Sequence, residues 1–283
     1  MSDIETSDVT ASDFVHPLGG LPAADRTLSI KPPLELVIAE VRFVPSAAVI
    51  TDEQALAVQR FVQASGFAMQ QLQPAPETSV EISVVADQPT TATQQYSRGW
   101  QLTASDPRTH AIVMPGVLVI QTAVYERWSV SLKPLLSVFL DAVAATLAPT
   151  IGQRVGLRYV DRFTDSQARS AASWRARIVD EFLGPACHDI FGHLVVGAQQ
   201  QVQLQFEPGK GALLRHGPFS DNGMSGAVSY LLDIDVFDET SHAFDPEDLM
   251  QRAEVLNRTA LSLFQNTLTP EYLRTMQVDA APV

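Results

Sequence analysis

Three arginines recur at every fourth position of RVGLRYVDRF (154–163), in a chain whose formal net charge is −13. Four residues are two strand periods, so Arg154, Arg158 and Arg162 share one face of a strand. Val155, Leu157, Tyr159 and Phe163 take the other. A row of guanidinium groups has two chemical uses. It can grip carboxylate or phosphate bidentately, or pair with carboxylates across a ladder at roughly 0.2–1 kcal/mol each. Company for the second use lies downstream. In YLLDIDVF, Asp233 and Asp235 alternate with Tyr230, Leu232, Ile234 and Val236. In QQQVQLQFE, Gln201, Gln203 and Gln205 alternate with Val202, Leu204 and Phe206. The candidate binding surface is therefore Arg154, Arg158, Arg162, Gln201, Gln203, Gln205, Asp233 and Asp235. A structural lattice of ion pairs is preferred there to an anion site.

Other reactive groups are sparse. Cys187-His188, with His193 nearby, lacks the further ligands that a closed metal site requires, and reads as a buried cysteine beside exposed histidines on a helix-to-strand loop. Asp233, Asp235, Asp238 and Glu239 could serve a hard cation, but alternation puts the first two on a strand face and the last two in the following turn. Gly209-Lys210-Gly211 sits in a hairpin turn, without the helix a phosphate loop needs. Trp100, Trp128 and Trp174 have no basic stripe beside them and read as packing residues. The sequence implies no catalytic residue, no metal and no cofactor.

Composition narrows the class. Apolar residues make up 46% and charged residues 18%, a globular balance. An excess of 32 acidic over 19 basic residues disfavours a general nucleic-acid or anionic-membrane binder. A single cysteine precludes an intramolecular disulfide framework and suits a reducing cytoplasm. The opening MSDIETSDVTASDF lacks the basic and apolar regions of a secretory signal, and no uninterrupted apolar run reaches spanning length. A soluble, cytoplasmic protein is expected.

The positioning elements come next. Residues 1–30 read as a flexible acidic tail. PLELVIAEVRF (33–43) is a strand, and Thr51 caps a helix through ITDEQALAVQRFV with Gln54 as reciprocal partner, ended by Ser65-Gly66. SVEISVVAD, RGWQLTASD and HAIVMPGVLVIQT are expected as three strands. A long apolar helix follows, with Leu135, Leu136, Phe139, Leu140 and Val143 buried and Pro134 at a late start or kink. The second half repeats this order. RVGLRYVDRF is a strand, SWRARIVDEFLGP a helix, and HLVVGAQQQVQLQFE, GALLRHG and AVSYLLDIDVFDE are strands. A final helix is capped by Asp245-Pro246 and carries the stripe Leu249, Ala253, Leu256, Ala260, Leu263 and Phe264. That stripe docks on the sheet or forms an oligomer interface. The expectation is an α+β fold of two tandem β-α-β-β-β-α halves, 31–150 and 151–283, packed as one unit. Its sheet is mostly antiparallel, with helices on one face.

PLELVIAEVRF, the run from Ile120-Gln121-Thr122 to Tyr125 and Trp128, VGLRYVDRF, YLLDIDVFDE and LNRTALSLFQNTLTPEYL together resemble a sporadically distributed prokaryotic family. Its members have about 260 residues and no assigned biochemical activity. The resemblance spans the chain after residue 30. It implies a stand-alone protein with a family-defining carboxy-terminal half, and brings no catalytic residue with it. Two functions stay open. One is a binding or assembly protein that meets a protein partner, or itself, through the polar sheet face or the helix layer. The other is a small-ligand receptor or enzyme with a pocket between the halves.

Overall fold

The computed structural model describes residues 15–25, 31–85, 88–220 and 226–277, with side chains throughout except at 76–97. Strand alternation divides the molecule into two sides. In β1 (Leu34–Phe43), Val37, Ala39, Val41 and Phe43 are buried, with Ile38, Glu40 and Arg42 between them on the other side. Helix α1 (Asp52–Ala64) starts at Thr51, whose hydroxyl accepts the Gln54 amide while the Gln54 side chain accepts that of Thr51. There follow β2 (Met69–Val85), β3 (Gln88–Ala104), β4 (Thr109–Met114) and β5 (Val117–Thr122).

HAIVMPGVLVIQT is thus a hairpin and not one strand. Pro115-Gly116 turns the chain, and Gly116 takes φ +81°, a left-handed conformation open to glycine at little cost. The strand expected at 79–87 begins ten residues earlier, at Met69, and its last two residues lie outside those described.

Helix α2 (Lys133–Leu147) follows a π-helical turn at Trp128–Leu132, so Pro134 sits in the first turn, at a start and not a kink. Trp128–Leu147 together are long and apolar enough to cross a membrane by length and composition, which a count of uninterrupted apolar residues overlooks. Here Leu135, Leu136, Phe139, Leu140 and Val143 are spent on the protein's own core.

β6 (Ile151–Phe163) begins the second half. SWRARIVDEFLGP does not become one helix. It gives a 3-10 turn at Ala171–Trp174 and a single turn, α3 (Asp180–Leu183). Between them Ile178 bridges Leu268 and the Val179 amide donates to the Thr267 carbonyl, so tertiary pairing holds the chain extended there. The strand expected from His193 starts only at β7 (Gln200–Glu207), because His193 lies in a 3-10 turn. β8 (Lys210–Ser220), β9 (Val228–Asp238), β10 (His242–Ala243), α4 (Pro246–Thr267) and α5 (Pro270–Thr275) follow among the described residues. Asp245 caps α4 as expected, accepting the amides of Glu247 and Asp248.

The strands form one sheet in the order β2-β3-β4-β5-β1-β6-β9-β8-β7, with β10 also on β6, and every pair is antiparallel. The protein is α+β. Each half's strands stay together, and β1 and β6 meet at the seam. The described helices lie on one side. Tyr159 donates to Asn257 of α4, Trp100 donates to the Ile50 carbonyl just before α1, and Tyr230 donates to the Phe182 carbonyl in α3. All of these side chains point to the side that holds Val37, Leu157 and Ile234.

Residues 15–25, within the stretch read as a tail, run along α4. Thr259 accepts the Leu18 amide, Ser262 donates to the Pro22 carbonyl, and Gln265 bonds both the amide and the carbonyl of Asp25. The polar residues of α4 that interrupt its apolar stripe are what hold them. Residues 1–14 and 26–30 lie outside those described.

Candidate functional site

Cross-strand register writes out the other side of the sheet in rows. One runs Thr103, His110, Gln121, Ile38, Arg158, Asp235, Leu213, Gln203 across β3, β4, β5, β1, β6, β9, β8 and β7. Its neighbour runs Gln101, Ile112, Val119, Glu40, Gly156, Phe237, Gly211, Gln205. On the far flank lie Leu36, Val160, Asp233, Arg215 and Gln201. The candidate residues therefore share one face. The aspartates stand on the strand next to the arginines, and the glutamines stand two strands further out, on the sheet edge.

At the centre is Asp233, almost fully buried. Arg158 grips it bidentately, Nε to Oδ1 at 2.7 Å and Nη2 to Oδ2 at 2.8 Å, and Arg215 adds Nη1 to Oδ2 at 3.3 Å. That carboxylate holds the Arg158 guanidinium above its ordinary pKa. Arg154, only 12% exposed, lies among Glu40 (3.4 Å), Asp235 (3.4 Å) and Glu239 (3.6 Å), with its Cζ 5.0 Å from the centre of the Phe237 ring. Burial raises the pKa of Asp235, against the pull of Arg154 and Arg158. Gly156 makes room for this arrangement, since a Cβ there would stand 2.8 Å from Arg154 Nη1. Arg162 pairs with Glu35 at 3.1 Å and stands over the Phe219 ring.

Each arginine of the row thus has a carboxylate within 4 Å. Glu35, Glu40, Arg215 and Phe237 join these contacts, although spacing along the sequence does not single them out. Glu40 could have been found from its parity in β1, but its register against β6 could not.

Between and around the charges stand half-buried apolar side chains: Leu36, Ile38, Ile112, Val119, Val160 and Leu213. No described helix lies over them. The face can therefore offer a partner apolar contacts in a frame of fixed charges.

The helix side carries a polar cluster that the sequence reading passed over. Asp161 lies on β6 with Leu157 and Tyr159, 1% exposed, and its Oδ1 has no hydrogen-bond partner among the described residues. Burial pushes its pKa up to about 8. Tyr159, bonded to Asn257 at 3.0 Å and edge-on to Tyr125, is raised well above the ordinary tyrosine value by burial, and Tyr125 to about 12. Further along α4, Glu254 accepts from Trp128 Nε1 at 2.6 Å and from Lys133 at 3.2 Å, and pairs with Arg258. An aspartate at an inward parity of an apolar strand was the available signal for Asp161.

The remaining candidates are scattered. Cys187 Sγ faces the Asp180 carbonyl, His188 stacks on Phe191, and Asp238 turns to the helix side to pair with Arg252 at 2.8 Å. Among the described residues, no three His, Cys, Asp or Glu side chains are grouped to hold a metal. A cavity lined by Phe43, Ser46, Ile50, Gly116 and Leu147 has about 10 Å³, room for at most a single water, and lies wholly within the first half. No protein-family model matches the chain, and no curated protein matches it.

Proposed function

We propose that this protein is a binding or assembly module that takes a protein partner on the open face of its sheet. The observation that carries this reading is the band of apolar side chains, Leu36, Ile38, Ile112, Val119, Val160 and Leu213, around an ion-paired centre on a side bare of described helices. A surface of that kind suits interface cores, which are apolar with charge kept in pairs. A pocket between the halves has less support, since β1 and β6 pair directly from Leu34 to Phe43.

The strand order also supports a tandem duplication. Each half places its leading strand, β1 or β6, at the seam and the last strand of its meander, β5 or β9, beside it. The earlier strands then run outward in reverse, and a long helix follows. The segments that resemble the prokaryotic family supply β1, the end of β5 through Trp128, β6, β9, α4 and α5, and membership of that family is part of the proposal. The single, half-buried thiol of Cys187 is at home in a reducing cytoplasm.

The test is co-purification from the native host with two surface variants. Ile38→Asp with Val119→Lys should abolish retention of the partner while leaving a folded chain that unfolds cooperatively at a lowered midpoint, since both side chains are half-buried. Phe61→Asp, on the exposed side of α1, should retain it. The reverse pattern, or a stoichiometric small-molecule adduct in native mass spectrometry, would overturn the reading.

A further inference from the structure

β7 closes one edge of the sheet. It pairs with β8 on one side, and no backbone hydrogen bond from another described segment reaches the other. Alternate residues of such a strand direct their N–H and C=O groups outward, ready to pair. Proteins usually blunt an exposed edge with lysine, proline or inward charge. From Gln200 to Phe206, β7 has no charge and no proline. Its only irregularity is a register shift between Gln205 and Glu207. The loop leading into it bears Ile190, Leu194 and Val196, exposed by 77%, 67% and 55%.

Charge and pattern identify the occupant. Two copies of a chain with net charge −13 repel each other over most of their surface, so a neutral stretch is where they can approach. A strand of a basic partner would find no carboxylate on β7 before Glu207. Gln201, Gln203 and Gln205 on one side and Val202 and Leu204 on the other make the middle of β7 complementary to its own reverse, while Gln200, which donates to the Phe182 carbonyl, would face Phe206.

We infer that β7 pairs antiparallel with β7 of a second copy of this chain, about a two-fold axis through Gln203. In that register Gln201 stands opposite Gln205 of the second copy, Gln203 opposite itself, and Val202 opposite Leu204. Side-chain amides can then bond each other on the open face while apolar pairs close the helix side. The interface is isologous, and both open faces end on the same side of one continuous sheet. Residues Leu18–Gly20 pack against β7 from the helix side, where Gly19 stands at the Phe206 ring. The pairing does not depend on what the open face binds.

The experiment is sedimentation and native mass spectrometry of the full-length protein with two substitutions at Gln203. The wild-type chain should give a species of twice 30.8 kDa at micromolar concentration. Gln203→Lys and Gln203→Glu each set like charges on the axis, and each should weaken dimerisation at least about ten-fold. An equimolar mixture of the two, with one variant uniformly 15N-labelled so that the heterodimer has a mass of its own, should restore a dimer at that intermediate mass, a rescue that a folding defect cannot produce. A wild-type chain that stays monomeric would overturn the inference. So would dimers that persist in both variants, or a mixture that stays monomeric.

Discussion

Asp233 and Asp161 are carboxylates on neighbouring strands with opposite fates. Asp233 is buried under two guanidiniums, so its charge is compensated and removing it strands Arg158 and Arg215. Asp233→Asn is expected to cost about 1–3 kcal/mol in urea denaturation, since part of each guanidinium remains hydrated. Arg158→Glu should cost more, because it sets a third carboxylate against Asp233 and Asp235. Loss of partner binding with stability intact would instead identify an anion site. Asp161 has no such compensation and keeps its proton to about pH 8 in the folded chain, against an ordinary value of 3.8. The folded state therefore holds a proton that the unfolded state releases. This contribution is complete below pH 3.8 and is lost as pH rises toward 8, by up to about 1.4 kcal/mol per pH unit. Asp161→Asn should thus unfold at a higher denaturant concentration than wild type at pH 8, with the gap closing toward pH 4. A gap that stays constant with pH would mean that Asp161 ionises normally.

At the scale of elements, what the sequence made legible was what local rules decide. The Thr51–Gln54 cap, the Asp245-Pro246 start of α4 and the alternation of β6 and β9 each depend on neighbours a few residues away, and each is present. What escaped depends on distant partners. Ile178 and Val179 have a helical context in SWRARIVDEFLGP, yet they are drawn out by Thr267 and Leu268. The Pro115-Gly116 dipeptide is a local turn signal, and HAIVMPGVLVIQT is nevertheless expected as one strand where the chain turns into β4 and β5. The docking of residues 15–25 on α4 was hidden for a related reason, since Thr259, Ser262 and Gln265 give no local sign of what they bind. Thr259→Val removes the acceptor for the Leu18 amide. It should open that segment by about 1 kcal/mol, a roughly five-fold faster amide exchange at Leu18. The exchange of β6 should stay unchanged, because the sheet does not rely on this contact.

For the molecule as a whole, the seam has a consequence in time. β1 is made early, but the strand that covers its second edge, β6, emerges more than a hundred residues later. A chain leaving the ribosome at roughly 5–20 residues per second therefore presents the bare flank of β1 for several seconds or longer. During that wait Glu40 and Arg42 are unpaired by β6, and they act as sentries, since a charged flank discourages capture by stray strands. Chains terminated at residue 150 are expected to aggregate on release, and Glu40→Val to hasten it, whereas chains that include β6 through β9 should stay dispersed; light scattering of the released products distinguishes them. Glu40 would then serve the newborn protein before it serves the finished one.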